Sequence, residues 1–177
     1  DRLIGVQVRN GKIKHELLID AYYTLFEEAN KELTLSDPVT CTIAHHLADE
    51  CVTASRHREA ITYFRKAFVS RKKLFGEDNV YSLLAEYGLA LSLAPTKQFR
   101  EAYELFLDLI TRFDVHPQFG PHHDKTMMCV ISYVDVSHIS GDKMSTEVYL
   151  RRLLAYYQNE KPDHEKAMAI IQELNST

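Results

Sequence analysis

The sequence predicts an all-α protein, an antiparallel helix-pair solenoid, on three observations. The first is a recurrence: Glu59-Ala60 returns as Glu101-Ala102 forty-two residues later, Leu47-Ala48 as Leu89-Ala90, and Phe64 as Phe106. A fixed period of this size marks one supersecondary unit repeated along the chain. The second is spacing. Ala60, Phe64, Ala67, Phe68 and Leu74 share one helical stripe, as do Phe99, Ala102, Tyr103, Phe106, Leu109, Ile110 and Phe113. The third is punctuation. Only six Gly and five Pro occur in 177 residues, and most separate apolar-periodic segments.

Taken in order, Val6-Gln7-Val8 is the one short alternating run, with Asn10-Gly11 after it as a turn. Helices are then predicted at about 15–34, 39–54, 57–75, 80–94, 97–114, 124–139, 144–159 and 163–174. Asp37-Pro38 has the form of an N-cap followed by Pro at the first helical position. Asp78 or Asn79, Thr96, Asp124 and Ser145 are the further cap candidates. Short connections between helices force antiparallel neighbours. The alanines of the repeat let the second helix of a pair pack close against the first, and the phenylalanine four residues on fills the space beyond. A pair with one apolar side cannot bury it alone, whereas stacked pairs can.

These residues carry a resemblance. Leu47-Ala48, Arg58-Glu59-Ala60, Phe64 and Ala67 look like a tetratricopeptide repeat, and so do Leu89-Ala90, Phe99-Arg100-Glu101-Ala102 and Phe106. The forty-two-residue period is similar to the longer variety found in kinesin light chains and in the sensor arms of some nucleotide-binding receptors. The linker Lys73-Leu74-Phe75-Gly76-Glu77-Asp78-Asn79-Val80 resembles that variety's connector, as does Ser36-Asp37-Pro38-Val39-Thr40. The resemblance implies a single helical repeat domain over 1–177, a tetratricopeptide-like superhelix with degenerate terminal units. Its best units are about 39–78 and 79–123. A half unit at 15–35 (Asp20-Ala21, Leu25, Ala29) precedes them. A degenerate unit and cap follow over 124–177, with Tyr133 laid on Tyr87 and Val148 on Ala102.

In such arrays the first helix of each pair lines a concave groove. Carried over, this places Thr42, His45, His46, Asp49 and Thr53 on the groove, then Leu84, Tyr87, Gly88 and Leu91, then Val130, Tyr133 and Ser137. Helical geometry agrees for the first set, since 42, 45, 46, 49 and 53 fall on one stripe. The expected function is a protein–protein interaction module, an adaptor, scaffold or sensor fragment of a larger protein. Its peptide-binding residues are Thr42, His45, His46, Asp49, Thr53, Leu84, Tyr87, Leu91 and Tyr133. The partner is a protein or peptide ligand with an apolar anchor and a basic or hydrogen-bonding end. The alternative is a structural arm that packs against other domains of the same parent protein.

Composition bounds the rest. A net charge of −4 and a pI near 6 give no global pull toward nucleic acid or anionic membrane. No apolar stretch approaches the roughly twenty residues of a membrane span. Cys41, Cys51 and Cys129, odd and sparse, fit a reducing compartment, and a cytoplasmic location is expected. The start at Asp1 suggests a piece of a longer chain. Helix 57–75 carries Arg58, Arg65, Lys66, Arg71, Lys72 and Lys73, which reads as a solvated basic face; nucleic acid is the competing ligand, without the aromatic interleaving that would support it. Cys41, His45 and Asp49 share a helix face but span about 12 Å, too far for all three to grip one metal ion. The loop His116-Pro117 to His122-His123-Asp124 reads as a solvated linker, with a pH-sensitive or metal-prone loop as the alternative. No Gly-rich phosphate loop, H-E-x-x-H, G-x-S-x-G or C-x-x-C occurs, so neither an enzyme nor a cofactor is expected, with a metal-dependent enzyme as the remote alternative.

Overall fold

The computed structural model describes residues 2–33, 37–141 and 146–175, with side chains from Lys14 onward. Among the described residues eight α-helices follow one another: α1 (Arg2–Glu32), α2 (Pro38–Thr53), α3 (His57–Phe75), α4 (Val80–Leu93), α5 (Phe99–Val115), α6 (Asp124–Ser140), α7 (Glu147–Ala155) and α8 (His164–Leu174). A 3-10 turn (Ala94–Thr96) follows α4 and a π-helical turn (Tyr156–Glu160) extends α7. There is no strand among the described residues. The alternating run at Val6–Val8 and the turn at Asn10-Gly11 are absorbed into α1. A single Gly costs a helix only about 1 kcal/mol, while each added residue of a nucleated helix gains a hydrogen bond.

The caps follow the residue chemistry with one displacement. The Asp37 carboxylate accepts from Val39 N at 2.7 Å, with Pro38 opening α2, and the Asn79 side chain accepts from Tyr81 N at 2.9 Å. At α6 the cap is His123, whose Nδ1 accepts from Lys125 N at 3.1 Å. Asp124 is instead the first helical residue, and it accepts from the Tyr156 hydroxyl at 2.5 Å and from Lys161 at 3.2 Å. Thr96 caps no helix; it lies in the 3-10 turn and donates to Leu93 O at 2.8 Å. Ser145 lies outside the described residues.

The helices form two compact units, Asp1–Gln98 and Phe99–Thr177. In the first, α2 packs on α1, on α3 and on the side of α4, and α3 packs on α4. Its core contains Leu47, Ala48, Ala60, Phe64, Ala67, Leu83, Leu89 and Ala90. In the second, α5 packs on α6, α6 on α7 and α7 on α8, around Ala102, Phe106, Leu109, Phe113, Leu150 and Leu153.

On α1 the buried residues are Ile19 and Phe26, while Ala21 is exposed and Leu25 is 48% exposed. The half-unit alignment, which made Ala21 and Leu25 the inward pair, is therefore corrected. Phe26 meets the Tyr63 ring edge-on at 5.4 Å. His15 Nδ1 lies 2.6 Å from Glu50, and Arg56 bridges Glu16 and Glu59. With α2 and α3 covering one side, the stripe of Leu17, Ala21 and Leu25 faces solvent.

Candidate functional site

Burial sets the register of the repeat. Thr40, Ser82 and Thr126 are each fully buried in the first turn of α2, α4 and α6. The Ser82 hydroxyl donates to Gly76 O at 2.8 Å and the Thr126 hydroxyl to Gly120 O at 2.7 Å, so each ties its helix to the connector before it. The helix starts at 38, 80 and 124 show that the last spacing is two residues longer than the first. In that register Tyr133 is the counterpart of Leu89, and both are 3% exposed. Thr146 then stands for Ala102 and Leu150 for Phe106, all of them buried.

This corrects the assignment of Tyr133. Its ring packs edge-on against Tyr103 at 5.8 Å and lies 4.8 Å from Tyr149, so it is core rather than a ligand contact. Val130 and Ser137 are buried with it. The α6 residues in the positions of Leu84, Tyr87 and Leu91 are Met128, Ile131 and Asp135. The replacement of Val148 by Thr146 has the same cause. Laying Tyr133 on Tyr87 and Val148 on Ala102 sets a spacing of 46 residues, whereas the helix starts at 80 and 124 set 44, so that alignment overshoots by two residues.

In the first unit the α2 and α4 candidates divide into three groups. Thr42, His46, Asp49 and Thr53 are exposed along α2, and His46 stacks on Tyr22 at 5.9 Å. Leu84 and Tyr87 are half-buried and Leu91 is 38% exposed on α4. His45 turns inward, its side chain only 15% exposed and its ring edge-on to Phe64 at 5.3 Å. Gly88 is also buried rather than groove-lining: a Cβ there would lie 2.4 Å from the Phe64 ring. The Thr42 and Thr53 hydroxyls donate to the carbonyls of Pro38 and Asp49 at 2.8 and 3.0 Å, so each retains lone pairs for an incoming donor.

Beneath this surface lies Arg71, which is core rather than part of the expected solvated basic face. It is 4% exposed, donates to Tyr81 O at 3.0 Å, and has the Cys41 thiol beside it. Its stem supplies the apolar packing that a residue at this core position must make, and its head reaches a backbone carbonyl at the start of α4. Burial, reinforced by the charge of Arg71 and by His46, pushes the His45 imidazole down to about 3, so His45 is neutral at pH 7. Partial burial raises the Asp49 carboxyl, while His46 and Arg71 pull it the other way. The rest of the basic face is also partly engaged. Lys66 sits over the Phe26 and Tyr63 rings, and Lys72 pairs with Glu77.

Replacing Arg71 tests this arrangement. Arg71→Ala leaves a cavity and removes the added donor to the Tyr81 carbonyl, and it is expected to lower stability by about 3 kcal/mol in urea unfolding. Arg71→Met, which keeps the stem volume, recovers most of that loss. In Arg71→Met the His45 pKa rises, which NMR titration reads directly.

The metal-prone segments have other roles. The His116 and His123 Nδ1 atoms accept from Gln118 N and Lys125 N, and both rings pack on Phe119. The Cys41 thiol donates to Pro38 O. Among the described residues no three His, Cys, Asp or Glu side chains gather to hold a metal ion. No helix among them is long and apolar enough to cross a membrane.

Antiparallel helix pairs, small residues at 60 and 102, and buried hydroxyls repeated at the head of each first helix define a tetratricopeptide-like repeat fold. That fold generally serves as a scaffold for protein interaction. No family model and no curated protein matches the chain. Solved structures do. A protein of Podosopora anserina described as a kinesin light chain with nearly identical TPR-like repeats is 15% identical, with a TM-score of 0.78 over 99% of this chain and 83% of that one. A single-substitution variant of the same protein is 13% identical, with a TM-score of 0.69 over 99% of this chain and 92% of that one. BtubC of P. vanneervenii is 14% identical, with a TM-score of 0.73 over 85% of this chain and 59% of that one. At such identities the likeness carries the fold alone.

Proposed function

We propose that the chain is a protein–protein interaction module whose ligand, a peptide or protein segment, lies along the first helices of the repeats. The observation that carries this reading is the pair α2 and α4. They pack side by side and turn Thr42, His46, Asp49 and Thr53 outward beside Leu84, Tyr87 and Leu91. A carboxylate and hydroxyls next to an aromatic and an exposed leucine suit a segment with an apolar anchor and a basic or hydrogen-bonding end. On this reading the repeat units are about 39–78 and 79–123, the role is that of a non-catalytic adaptor, scaffold or sensor element of a larger protein, and the setting is cytoplasmic.

Asp49→Lys reverses the charge of the surface and Tyr87→Ala removes its aromatic. Each is expected to reduce capture of a crosslinked partner at least about tenfold while leaving the circular dichroism melt in place. Capture unchanged by both substitutions would exclude this surface.

A second reading has its own observation. Leu17, Ala21 and Leu25 form an apolar stripe on α1, exposed where the second helix of a complete pair would be covered. In that reading α1 packs against other domains of the parent protein, and the helices act as a structural arm.

A further inference from the structure

In the second unit α8 packs chiefly on α7, and a cavity of about 390 Å³ opens between α8 and α6 with α7 as its floor. Its walls are apolar: Ile131, Val134, Leu150, Leu153, Tyr157 and Ile170. The volume falls within the range of clefts that take a ligand group. Four polar side chains stand at the same cavity: His138, Glu173, Asp135 and Lys166. His138 Nε2 lies 2.6 Å from Glu173 Oε1. The third is Asp135, which has no hydrogen bond or ion pair among the described residues.

The remaining charges near the cavity are already paired. Lys166 meets Asp163 at 3.2 Å and sits over the Tyr157 ring, and Lys161 meets Asp124 at 3.2 Å. These cations therefore carry little attraction for an added anion. Asp135 is different: partial burial raises its carboxyl above the ordinary value, with His138 acting in the opposite direction. A carboxylate beside an apolar wall gains from a cation brought to it. Ile131 and Asp135 are also the α6 counterparts of Tyr87 and Leu91 in the repeat register.

We infer that the α6–α8 cavity is a second recognition site, taking an aromatic or branched aliphatic side chain of a protein segment whose neighbouring Lys or Arg pairs with Asp135. This rests on the interaction reading above and names the chemistry of a segment that the second unit takes. The apolar side chain gives most of the affinity by leaving water, and the cation gives the selectivity.

The test uses the full chain, labelled at Ile, Leu and Val methyls, and two probes: N-acetyl-Phe-Arg-amide and N-acetyl-Phe-Glu-amide. The expected result is saturable shifts at Ile131, Leu150, Leu153 and Ile170, with the Arg probe binding about three- to fivefold more tightly, the range of a partly exposed ion pair. In Asp135→Asn the two probes bind alike. Ala169→Trp, which fills the mouth of the cavity, removes the shifts for both. Absent shifts, equal binding of both probes to the unaltered chain, or an Arg preference that survives Asp135→Asn overturns the inference. None of the reporting methyls lies in α2 or α4, so loss of partner capture through Asp49 and Tyr87 and loss of probe binding here are separate results.

Discussion

Gly88→Ala is expected to destabilise the first unit by about 2 kcal/mol, although alanine is the better helix former by about 1 kcal/mol. The reason is the close approach of α3 to α4. An added Cβ would stand 2.4, 2.5 and 2.9 Å from three atoms of the Phe64 ring, nearer than carbon atoms can sit. The ring has little room to retreat, since Phe64 is 1% exposed and the His45 ring meets its edge. Overpacking of this kind is relieved by shifting backbone or twisting a rotamer. Phe64→Leu alone removes ring atoms and leaves a small cavity, itself destabilising. Combined with Gly88→Ala it supplies the room that the methyl needs. The double variant should therefore be more stable than the sum of the two single changes by about 1 kcal/mol, a coupling that urea unfolding of the four proteins measures. A Gly88→Ala variant as stable as the original chain would mean that the two helices do not approach this closely.

The same contact shows what was legible in the sequence. The repeat at Ala60 and Ala102 and the helical stripes were visible because burial of one face by a neighbouring helix imposes a 3.6-residue period on residue type. Helix existence followed, and the boundaries of α2 through α6 came within a few residues. Gly88 was different. Its position on the first helix places it among groove residues, and only its partner Phe64, on the preceding helix, explains why no side chain is tolerated. Arg71 was misplaced for a related reason. Composition counts an arginine as surface, yet its aliphatic stem fills a core site and its head finds a carbonyl. Tyr133 failed through register. Matching Tyr133 to Tyr87 by type assumes a spacing of 46 residues, but α4 and α6 start 44 apart, which makes Tyr133 equivalent in burial to Leu89. The signal that would have set it was the hydroxyl series Thr40, Ser82 and Thr126, small polar residues that a sequence reading passes over as ordinary helix-start chemistry. Of the candidate surface, the α2 stripe was readable from spacing alone, because Thr42, His46, Asp49 and Thr53 need only helical geometry to share a face. The inward turn of His45 was not, because it depends on Phe64 and Arg71 from the next helix.

His45 gives the second large effect, in the dependence of stability on pH. The folded protein holds this imidazole down to about 3 against an ordinary 6.5, through burial first and the charge of Arg71 second. Below pH 6.5 the unfolded chain takes up a proton that the folded chain refuses, so stability falls as pH decreases from 6.5 toward 3. The slope is about 1.4 kcal/mol for each pH unit once the unfolded residue is protonated. Asp49 works in the other direction, because partial burial raises its carboxyl from 3.8 and the folded chain then binds the proton more readily than the unfolded one. His46, Arg71 and Glu50 act on Asp49 and the His45 Nε2 lies 3.6 Å from it, so Asp49→Asn in the original and His45→Leu backgrounds separates the two contributions. His45→Leu removes the titration and the buried Nδ1 that has no hydrogen-bond partner, at similar volume. At pH 7.5 the variant and the original chain should agree within about 1 kcal/mol. At pH 4.5 the variant should be the more stable by about 2 kcal/mol, read from urea midpoints across the series. A difference that stays constant from pH 7.5 to 4.5 would mean that the folded protein protonates His45 as readily as the unfolded chain does, and that the packing against Phe64 and Arg71 does not exclude the charge.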